Sequence, residues 1–420
     1  MFNFCKQNVS ENGCWSQKRE NMFKARIILA KIWCIVCRIN YAKPATPPKR
    51  QADFQQSNPH SSVAMIDLNN STSGRTSIHS TTESLVVCFL GSSALRSFAL
   101  IPFHRRSFVM QSCWEKACPL LQVLSSAVMS AENAGRLVRR TRGQDMDILE
   151  KGYRDLQTKA DRFSEISIVS SLRMKFQTNL RIIAEEGLTV DSDVPASFIE
   201  SGVCNDVLAL EDELDAQLKN ASLNEFTVWI DPLDGTYEFA HGLLSHATIM
   251  IGISLSTKPV AGVIHQPFVS DVADTLDDVG RTVWAVKSVD RIFGDLKVKP
   301  PPNDKRIVVT TRSHGNPNLE KILEIFQPAE VIRVGGAGHK VLMLIEGEAH
   351  AYVFPGSGTK KWDTCAAECI LSAAGGRMTD LCGNEIDYSN NVNVNNLQGI
   401  LATAPTVDHE KYASFSNQNL

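Results

Sequence analysis

Apolar positions divide the chain into helical and extended stretches. From Cys118, residues Leu120, Leu121, Leu124, Ala127, Val128, Ala131, Ala134 and Val138 recur at helical spacing. Pro119 suits the first turn of that helix, and Arg139, Arg140 and Arg142 suit its negative C-terminal end. Phe163, Ile166, Val169, Leu172 and Phe176 mark a second helix that starts at Asp161. Short apolar runs then predict strands at 180–184, 226–230, 247–254, 260–265, 282–286, 306–310, 331–334, 349–354 and 399–403. The runs at 247–254 and 260–265 suit an antiparallel pair. Residues 205–219 read as an acidic, exposed helix. Gly335-Gly-Ala-Gly338 precedes a helical pattern through Val341, Leu342, Leu344 and Ile345, and a glycine turn there can cradle phosphate on backbone N–H groups. Asp363 opens a last helix, which Gly375-Gly376 ends. The tail beyond Pro405 reads as frayed. Hairpins early and βα units late predict a layered α/β sandwich in two halves over 118–404.

Composition changes this picture mainly at the N-terminus. The 420 residues are 43% hydrophobic and 21% charged, with a net charge of -3. Residues 1–115 hold 14 Lys/Arg against 6 Asp/Glu, a net of +8, so the remainder carries -11. A mildly acidic body argues against nucleic acid as a partner. The apolar stretches 27–39 and 85–101 contain Lys31, Arg38 and Arg96, and both are shorter than a membrane helix of roughly 20 residues. Residues 57–84 include 12 Ser/Thr and read as disordered. Eleven irregularly spaced cysteines fit a reducing, cytoplasmic setting, and the lone Cys34/Cys37 pair is read as chance rather than a zinc site. The expected layout is a poorly ordered extension over 1–115, an α+β half over 116–270, an α/β half over 271–412 and a tail over 413–420.

Candidate chemistry centres on Trp229-Ile-Asp-Pro-Leu-Asp-Gly-Thr-Tyr237. A buried strand there delivers Asp231 at its carboxyl end, where sites of sheet proteins gather. Pro232 stiffens the turn, and Gly235 permits a conformation that a side chain would oppose. Two carboxylates and a hydroxyl then face one point, which suits a hard cation and a phosphate. A second strand delivers Glu185-Glu186. Asp161 and Asp363, each at a helix start, read as capping residues when taken alone.

Four motifs together resemble a known family. Asp231-Pro-Leu-Asp-Gly-Thr236 is similar to the central signature of the lithium-sensitive, magnesium-dependent phosphomonoesterases of the inositol monophosphatase superfamily. Ala184-Glu-Glu186, Trp362-Asp-Thr364 with Gly375-Gly376, and Asp155-Leu-Gln-Thr-Lys-Ala-Asp-Arg162 resemble its other signatures, in the right order. Thr310-Thr-Arg-Ser-His314, Arg333-Val-Gly-Gly-Ala-Gly338 and Lys360-Lys-Trp-Asp-Thr-Cys365 resemble the bisphosphate-nucleotidase branch. The match covers roughly 117–412, with Ala184 in place of a usual Gly and His339 in place of a commoner Asn.

The resemblance implies an αβαβα sandwich and two or three Mg²⁺ ions. It implies that Glu185, Asp231 and the Leu233 carbonyl hold the first ion, and that Asp231, Asp234 and Asp363 hold the second. Asp161 with Thr236 would orient and deprotonate the attacking water. Thr311, His314, Gly336 and Lys340 would contact the nucleotide. The expected reaction is hydrolysis of the 3'-phosphate of 3'-phosphoadenosine 5'-phosphate to AMP and phosphate, inhibited by Li⁺, with no membrane partner. An inositol polyphosphate 1-phosphatase, a membrane-tethered Golgi nucleotidase and a non-catalytic nucleotide-binding protein are the competing readings.

Overall fold

A computed structural model of the protein describes residues 113–142, 146–152, 155–188, 194–270, 280–312 and 317–417. The apolar stretches 27–39 and 85–101, the Ser/Thr-rich segment, the Cys34/Cys37 pair and His314 lie outside the described residues.

The first layer is helical. Helix α1 (Pro119–Thr141) packs along α2 (Lys159–Phe176), and between them runs a short hairpin of β1 (Leu149–Gly152) and β2 (Asp155–Gln157). Both helices cover a six-stranded sheet made of β3 (Arg181–Ala184), β4 (Phe226–Asp234), β5 (Thr248–Leu255), β6 (Lys258–Gln266), β7 (Arg281–Val286) and β8 (Ile292–Gly294), hydrogen-bonded in that order. Only β3 and β4 run parallel. The single-turn helix α3 (Thr236–Ala240) follows β4 directly. A second, five-stranded sheet holds β9 (Ile307–Thr311), β10 (Glu330–Val334), β11 (Ala351–Phe354), β12 (Arg377–Thr379) and β13 (Ile400–Thr403), in the order β10-β9-β11-β13-β12. Helix α4 (Pro317–Phe326) joins β9 to β10, α5 (Ala337–Ile345) joins β10 to β11, α6 (Lys361–Ala373) joins β11 to β12, and α7 (His409–Asn417) ends the described chain.

Period-2 patterning explains the layers. Along β4 and β5, Phe226, Val228, Ile230, Ile249, Ile251 and Ile253 share one core with α1 and α2. Trp229, Met250 and Ile264 face the opposite way, into a core with α5 and α6. Both faces of the sheet are covered, so its strands read as continuous apolar runs. A third core packs Leu319, Ile322, Leu323, Phe326, Tyr412 and Ala413 against the outer face of β9, β11 and β13. The result is an αβαβα sandwich. Helix α6 lies almost in contact with the six-stranded sheet, because β5 and β6 present glycines beneath it. A Cβ on Gly252 would stand 2.6 Å from the Cys365 side chain, and one on Gly262 would stand 2.7 Å from the Ala366 carbonyl.

Four sequence expectations change. The boundary at 270/271 cuts the six-stranded sheet, since β7 and β8 complete it; the division between the sheets falls after Gly294. Residues 205–219 form two short helices, Asn205–Leu208 and Ala216–Asn220, rather than one exposed helix. Val207, Leu208, Leu210, Leu214 and Leu218 are buried, and Asp215 starts the second helix by accepting the Leu218 N–H. At the ends, Trp114 packs on Phe176, so the ordered body begins before 116. The segment after Pro405 is no frayed tail: Tyr412 and Ala413 are buried, with Tyr412 set edge-on against Phe326.

Candidate active site

The spacing Asp-Pro-Leu-Asp is explained by the pairing of β4 with β5. Asp231 pairs with Met250 and Asp234 with Thr248, so β4 carries one extra residue between them. In a regular strand, residues three apart face opposite sides; one extra residue returns both carboxylates to the same side. Proline is tolerated there because the bulge needs no ladder N–H from it. The freed backbone groups are all used. Ser164 Oγ donates to the Pro232 carbonyl (2.7 Å), the Leu233 N–H donates to Asp231 Oδ1 (3.0 Å), and Thr236 Oγ1 donates to the Leu233 carbonyl (2.8 Å). Gly235 then turns the chain at φ 81°, where a Cβ would meet the His246 carbonyl at 2.9 Å.

Neighbouring elements bring in the remaining acids. The parallel pairing of β3 with β4 sets Ala184 beside Ile230, and the Glu185 N–H donates to the Ile230 carbonyl (3.0 Å), which places Glu185 next to Asp231. Glu165 of α2 fixes this turn by accepting the N–H groups of Glu186 (2.9 Å) and Leu188 (2.7 Å). Lys151 of the hairpin reaches Glu185 (3.3 Å) and Glu186 (2.9 Å). Asp363 is the third residue of α6 and accepts the N–H of the cap residue, Lys360 (2.7 Å). Asp161 holds the same position in α2, accepting the N–H of Thr158 (2.7 Å) and the Thr158 hydroxyl. Its other oxygen lies 2.8 Å from Thr236 Oγ1.

The glycine turn before α5 does something other than the sequence predicts. Its first N–H groups, on Ala337 and Gly338, are given to Asp234 Oδ1 (2.9 Å) and Oδ2 (2.8 Å), and the Thr248 hydroxyl adds a bond to Oδ2 (2.9 Å). A carboxylate of the chain itself takes the place predicted for phosphate. Each carboxylate oxygen has two lone pairs, so Asp234 keeps one acceptor direction, on Oδ1.

One cavity of about 210 Å³ is lined by Glu185, Asp231, Leu233, Asp234, Thr236 and Asp363, and also by Thr311, Gly336 and Lys340. Ten of the eleven predicted site residues are thus gathered, with Asp161 buried beneath Thr236; His314 is outside the described residues. Glu165, Thr248, Lys151 and Tyr352 are further participants that the sequence reading did not single out. The spacing of Glu165 from Asp161, one helical turn, was a usable signal. Lys340 is buried, its Nζ bonded to the Gly336 carbonyl (2.8 Å) and 5.1 Å from the Tyr352 ring centre.

Burial governs the electrostatics. It lifts Asp161 to about 7 against the pull of its Thr158 and Thr236 hydrogen bonds. Burial, then the charges of Glu185 and Asp234, lifts Asp363 to about 7. Asp231 rises well above the carboxylate range through burial and the charges of Glu185, Asp234 and Asp363, and it shares a hydrogen bond with Asp363. Burial also raises Glu185, although Lys151 opposes it. Burial lowers Lys340, while Asp234, Glu238 and Asp363 hold it up. Clustered buried carboxylates of this kind are costly unless a cation joins them. Among the described residues, no three acidic, histidine or cysteine side chains enclose an ion by themselves. The donors are nevertheless all oxygen, with open lone pairs on Asp231, Asp234 and Asp363. That set fits a hard divalent cation that completes its shell with water and phosphate oxygens.

Comparison with known proteins agrees with this chemistry. The model of the inositol monophosphatase family matches residues 120–419. Human 3'(2'),5'-bisphosphate nucleotidase 1 is 43% identical over 297 residues, covering 70% of this chain and 94% of that protein. Its Dictyostelium discoideum counterpart is 35% identical over 308 residues, covering 71% and 96%. The rat Golgi-resident adenosine 3',5'-bisphosphate 3'-phosphatase is 32% identical over 305 residues, covering 69% and 79%. Among solved structures, the extragenic suppressor protein suhB from Bartonella henselae superposes with a TM-score of 0.52 at 20% identity, covering 71% of this chain and all of that one.

Proposed function

The chain belongs to the inositol monophosphatase family, and we propose that it is a 3'(2'),5'-bisphosphate nucleotidase that removes the 3'-phosphate of 3'-phosphoadenosine 5'-phosphate to give AMP and phosphate. The observation that carries this reading is the contact of Thr236 Oγ1 with Asp161 Oδ1 on one side and the Leu233 carbonyl on the other, at the edge of the acid-lined cavity. The 43% identity to a nucleotidase over nearly its full length supports the substrate class.

Glu185, Asp231 and the Leu233 carbonyl would hold one Mg²⁺, and Asp231, Asp234 and Asp363 a second. When bound there, Mg²⁺ supplies Lewis acidity and the positive charge that a phosphate monoester requires. Thr236 has one hydroxyl hydrogen and two acceptors. With the Leu233 carbonyl engaged elsewhere, that hydrogen goes to Asp161, and the Thr236 oxygen turns a lone pair toward the cavity. It then accepts the proton of the attacking water while Asp161 takes the threonine's own. Asp161 is suited to that role because its pKa, about 7, lies near working pH. Thr311, Gly336, Lys340 and His314 would contact the nucleotide, with buried Lys340 offering a charge to a phosphate oxygen.

Inhibition by Li⁺ follows from the same reading, since a small monovalent ion in a divalent site leaves the carboxylates undercompensated. A cytoplasmic location is part of the proposal. Cys113, Cys118, Cys204, Cys365, Cys369 and Cys382 are free thiols, and among the described residues no helix is long and apolar enough to cross a membrane. Purified protein assayed for phosphate release on adenosine 3',5'-bisphosphate, its 2',5' isomer and inositol 1,4-bisphosphate tests the activity, with Mg²⁺ present or chelated and Li⁺ titrated. Preference for the nucleotides supports the reading; preference for the inositol, or no Mg²⁺-dependent release, overturns it.

A further inference from the structure

Asp363 follows a short loop that belongs to no helix or sheet, and backbone bonds to the segment 394–396 and one buried side-chain amide hold that loop. Residues Thr359 and Lys360 line the cavity and lead into α6. The segment 394–396 runs alongside them. The Lys361 N–H donates to the Val394 carbonyl (2.8 Å), the Asn396 N–H donates to the Thr359 carbonyl (2.9 Å), and Lys360 forms a bridge with Asn395. Asn396 itself is only 4% exposed. Its Nδ2 donates to the Lys360 carbonyl (2.9 Å), with the hydroxyls of Thr359 (3.3 Å) and Thr364 (3.4 Å) close by. Its Oδ1 accepts from Lys361 Nζ (2.7 Å), whose ammonium is itself buried, 5.8 Å from the Tyr388 ring centre.

We propose that Asn396 is a positioning residue that sets Asp363 for cation binding by clamping the cap residue of α6. Lys360 is held on both sides of its own residue: its N–H by Asp363 Oδ2 (2.7 Å), and its carbonyl most closely by Asn396 Nδ2 (2.9 Å), beside the longer bonds from the Asp363 N–H (3.2 Å) and the Thr364 hydroxyl (3.4 Å) within α6. Asp363 cannot shift without breaking the first bond or dragging Lys360 against the second. Only a carboxamide suits the position. It must accept from the buried Lys361 ammonium at one end and donate to a carbonyl at the other. An aspartate keeps the shape and the ammonium contact, but its second oxygen would face the Lys360 carbonyl with no hydrogen between them. Partners one step behind a metal ligand commonly tune affinity in this way. Asn396 lies 33 positions beyond Asp363 in the sequence, in an Asn-rich stretch with no strand or helix pattern.

The inference rests on the reading of Asp363 as a cation ligand, and direct cation binding tests the two separately. Mn²⁺ binding to full-length wild-type protein, Asp363→Asn, Asn396→Asp and Asn396→Ser is followed by the EPR signal of free Mn²⁺, without substrate. Thr379→Val serves as a control, because it removes a buried hydrogen bond to His409 at the edge of the second sheet. Asn396→Asp is expected to weaken one class of Mn²⁺ site by about 10- to 100-fold. Its kcat at low Mn²⁺ should fall and recover with excess Mn²⁺, while KM for adenosine 3',5'-bisphosphate stays near wild type. Thr379→Val should lower Tm and leave the isotherm unmoved. If Asp363→Asn loses a Mn²⁺ site and folded Asn396→Asp keeps the wild-type isotherm, the positioning role is overturned and the function stands. If Asp363→Asn itself keeps the wild-type isotherm, the ligand reading fails and the positioning role with it. Should Asn396→Ser bind Mn²⁺ as wild type does, the clamp is again refuted, since serine cannot span both partners.

Discussion

Helices α2 and α6 begin with the same local device and set it in different surroundings. Asp161 and Asp363 each occupy the third helical position, and each accepts the N–H of its cap residue. Asp161 is then closed off from solvent and turned toward hydroxyl and amide donors. Both of its oxygens are bonded, one of them to Thr236, and it is fully buried. Asp363 keeps an edge open to the cavity and faces Asp231, Asp234 and Glu185. A buried carboxylate bonded to hydroxyl and amide donors can pass a proton along those bonds. A carboxylate surrounded by other carboxylates is fit to hold a cation. The cap accounts for the helix in both cases; what lies beyond the cap decides the role.

The largest effect expected from breaking this contrast is at Asp363. Asp363→Asn keeps an oxygen for the Lys360 N–H but removes the charge. Phosphate release should fall by about a thousandfold or more, as for loss of an electrostatic group at the reacting phosphate, while Tm holds or rises as the carboxylate repulsion is relieved. Near-normal turnover at saturating Mg²⁺ would return Asp363 to a capping role. Next is Asp161→Asn, for which kcat should drop by about 10²- to 10⁴-fold, the range of general base catalysis, with cation affinity little changed. An unaltered kcat would mean that Asp161 only caps α2.

A smaller effect is expected one step back from the acids. Glu165→Gln can accept only one of the two N–H groups that Glu165 now holds, and its NH₂ would oppose the other. The Glu185 turn should loosen, weakening Mn²⁺ binding by roughly tenfold, measured by titration. No change would show that the β3–β4 pairing alone sets Glu185. The smallest effect concerns stability. Glu368, behind Asp363 on α6, is raised to about 7 by burial and accepts the Tyr388 hydroxyl (2.7 Å). A carboxyl with a raised pKa contributes full stability below its ordinary range and loses it as pH rises through about 7. In EDTA, Tm should therefore fall between pH 5 and 8, and Glu368→Gln should flatten part of that fall, a difference on the order of 2 kcal/mol at the alkaline end. Parallel Tm curves for the two proteins would contradict the assignment.

How much of this was legible in the sequence follows from which signals are local. The inner strands β4, β5 and β6 were visible because both faces are buried and apolar runs result, whereas the short, half-exposed β8 was not read. Asp231, Asp234 and Glu185 stood out because strands end in them. The β1–β2 hairpin carried no such pattern: Leu149–Gly152 is exposed throughout. Helix α4 did carry one, in Leu319, Ile322, Leu323 and Phe326 at helical spacing, bracketed by Pro317 and Pro328, and the sequence reading passed over it. The division between the sheets was misplaced because β7 returns to the first sheet after a long connection, a tertiary choice that no local pattern records. The roles of the aspartates were the least legible. Asp234 looked like a ligand and also proves to be the cap acceptor for α5, while Asp161 and Asp363 had identical local readings. Only the partners across the fold, Thr236 for one and Asp231 for the other, separate them.

The number of Mn²⁺ ions bound per chain by wild type, Asp363→Asn and Asp161→Asn, measured side by side without substrate, tests that separation most directly. Asp363→Asn should bind at least one ion fewer than wild type, and Asp161→Asn should bind the wild-type number. Equal counts in all three proteins, or an equal loss in both variants, would contradict it.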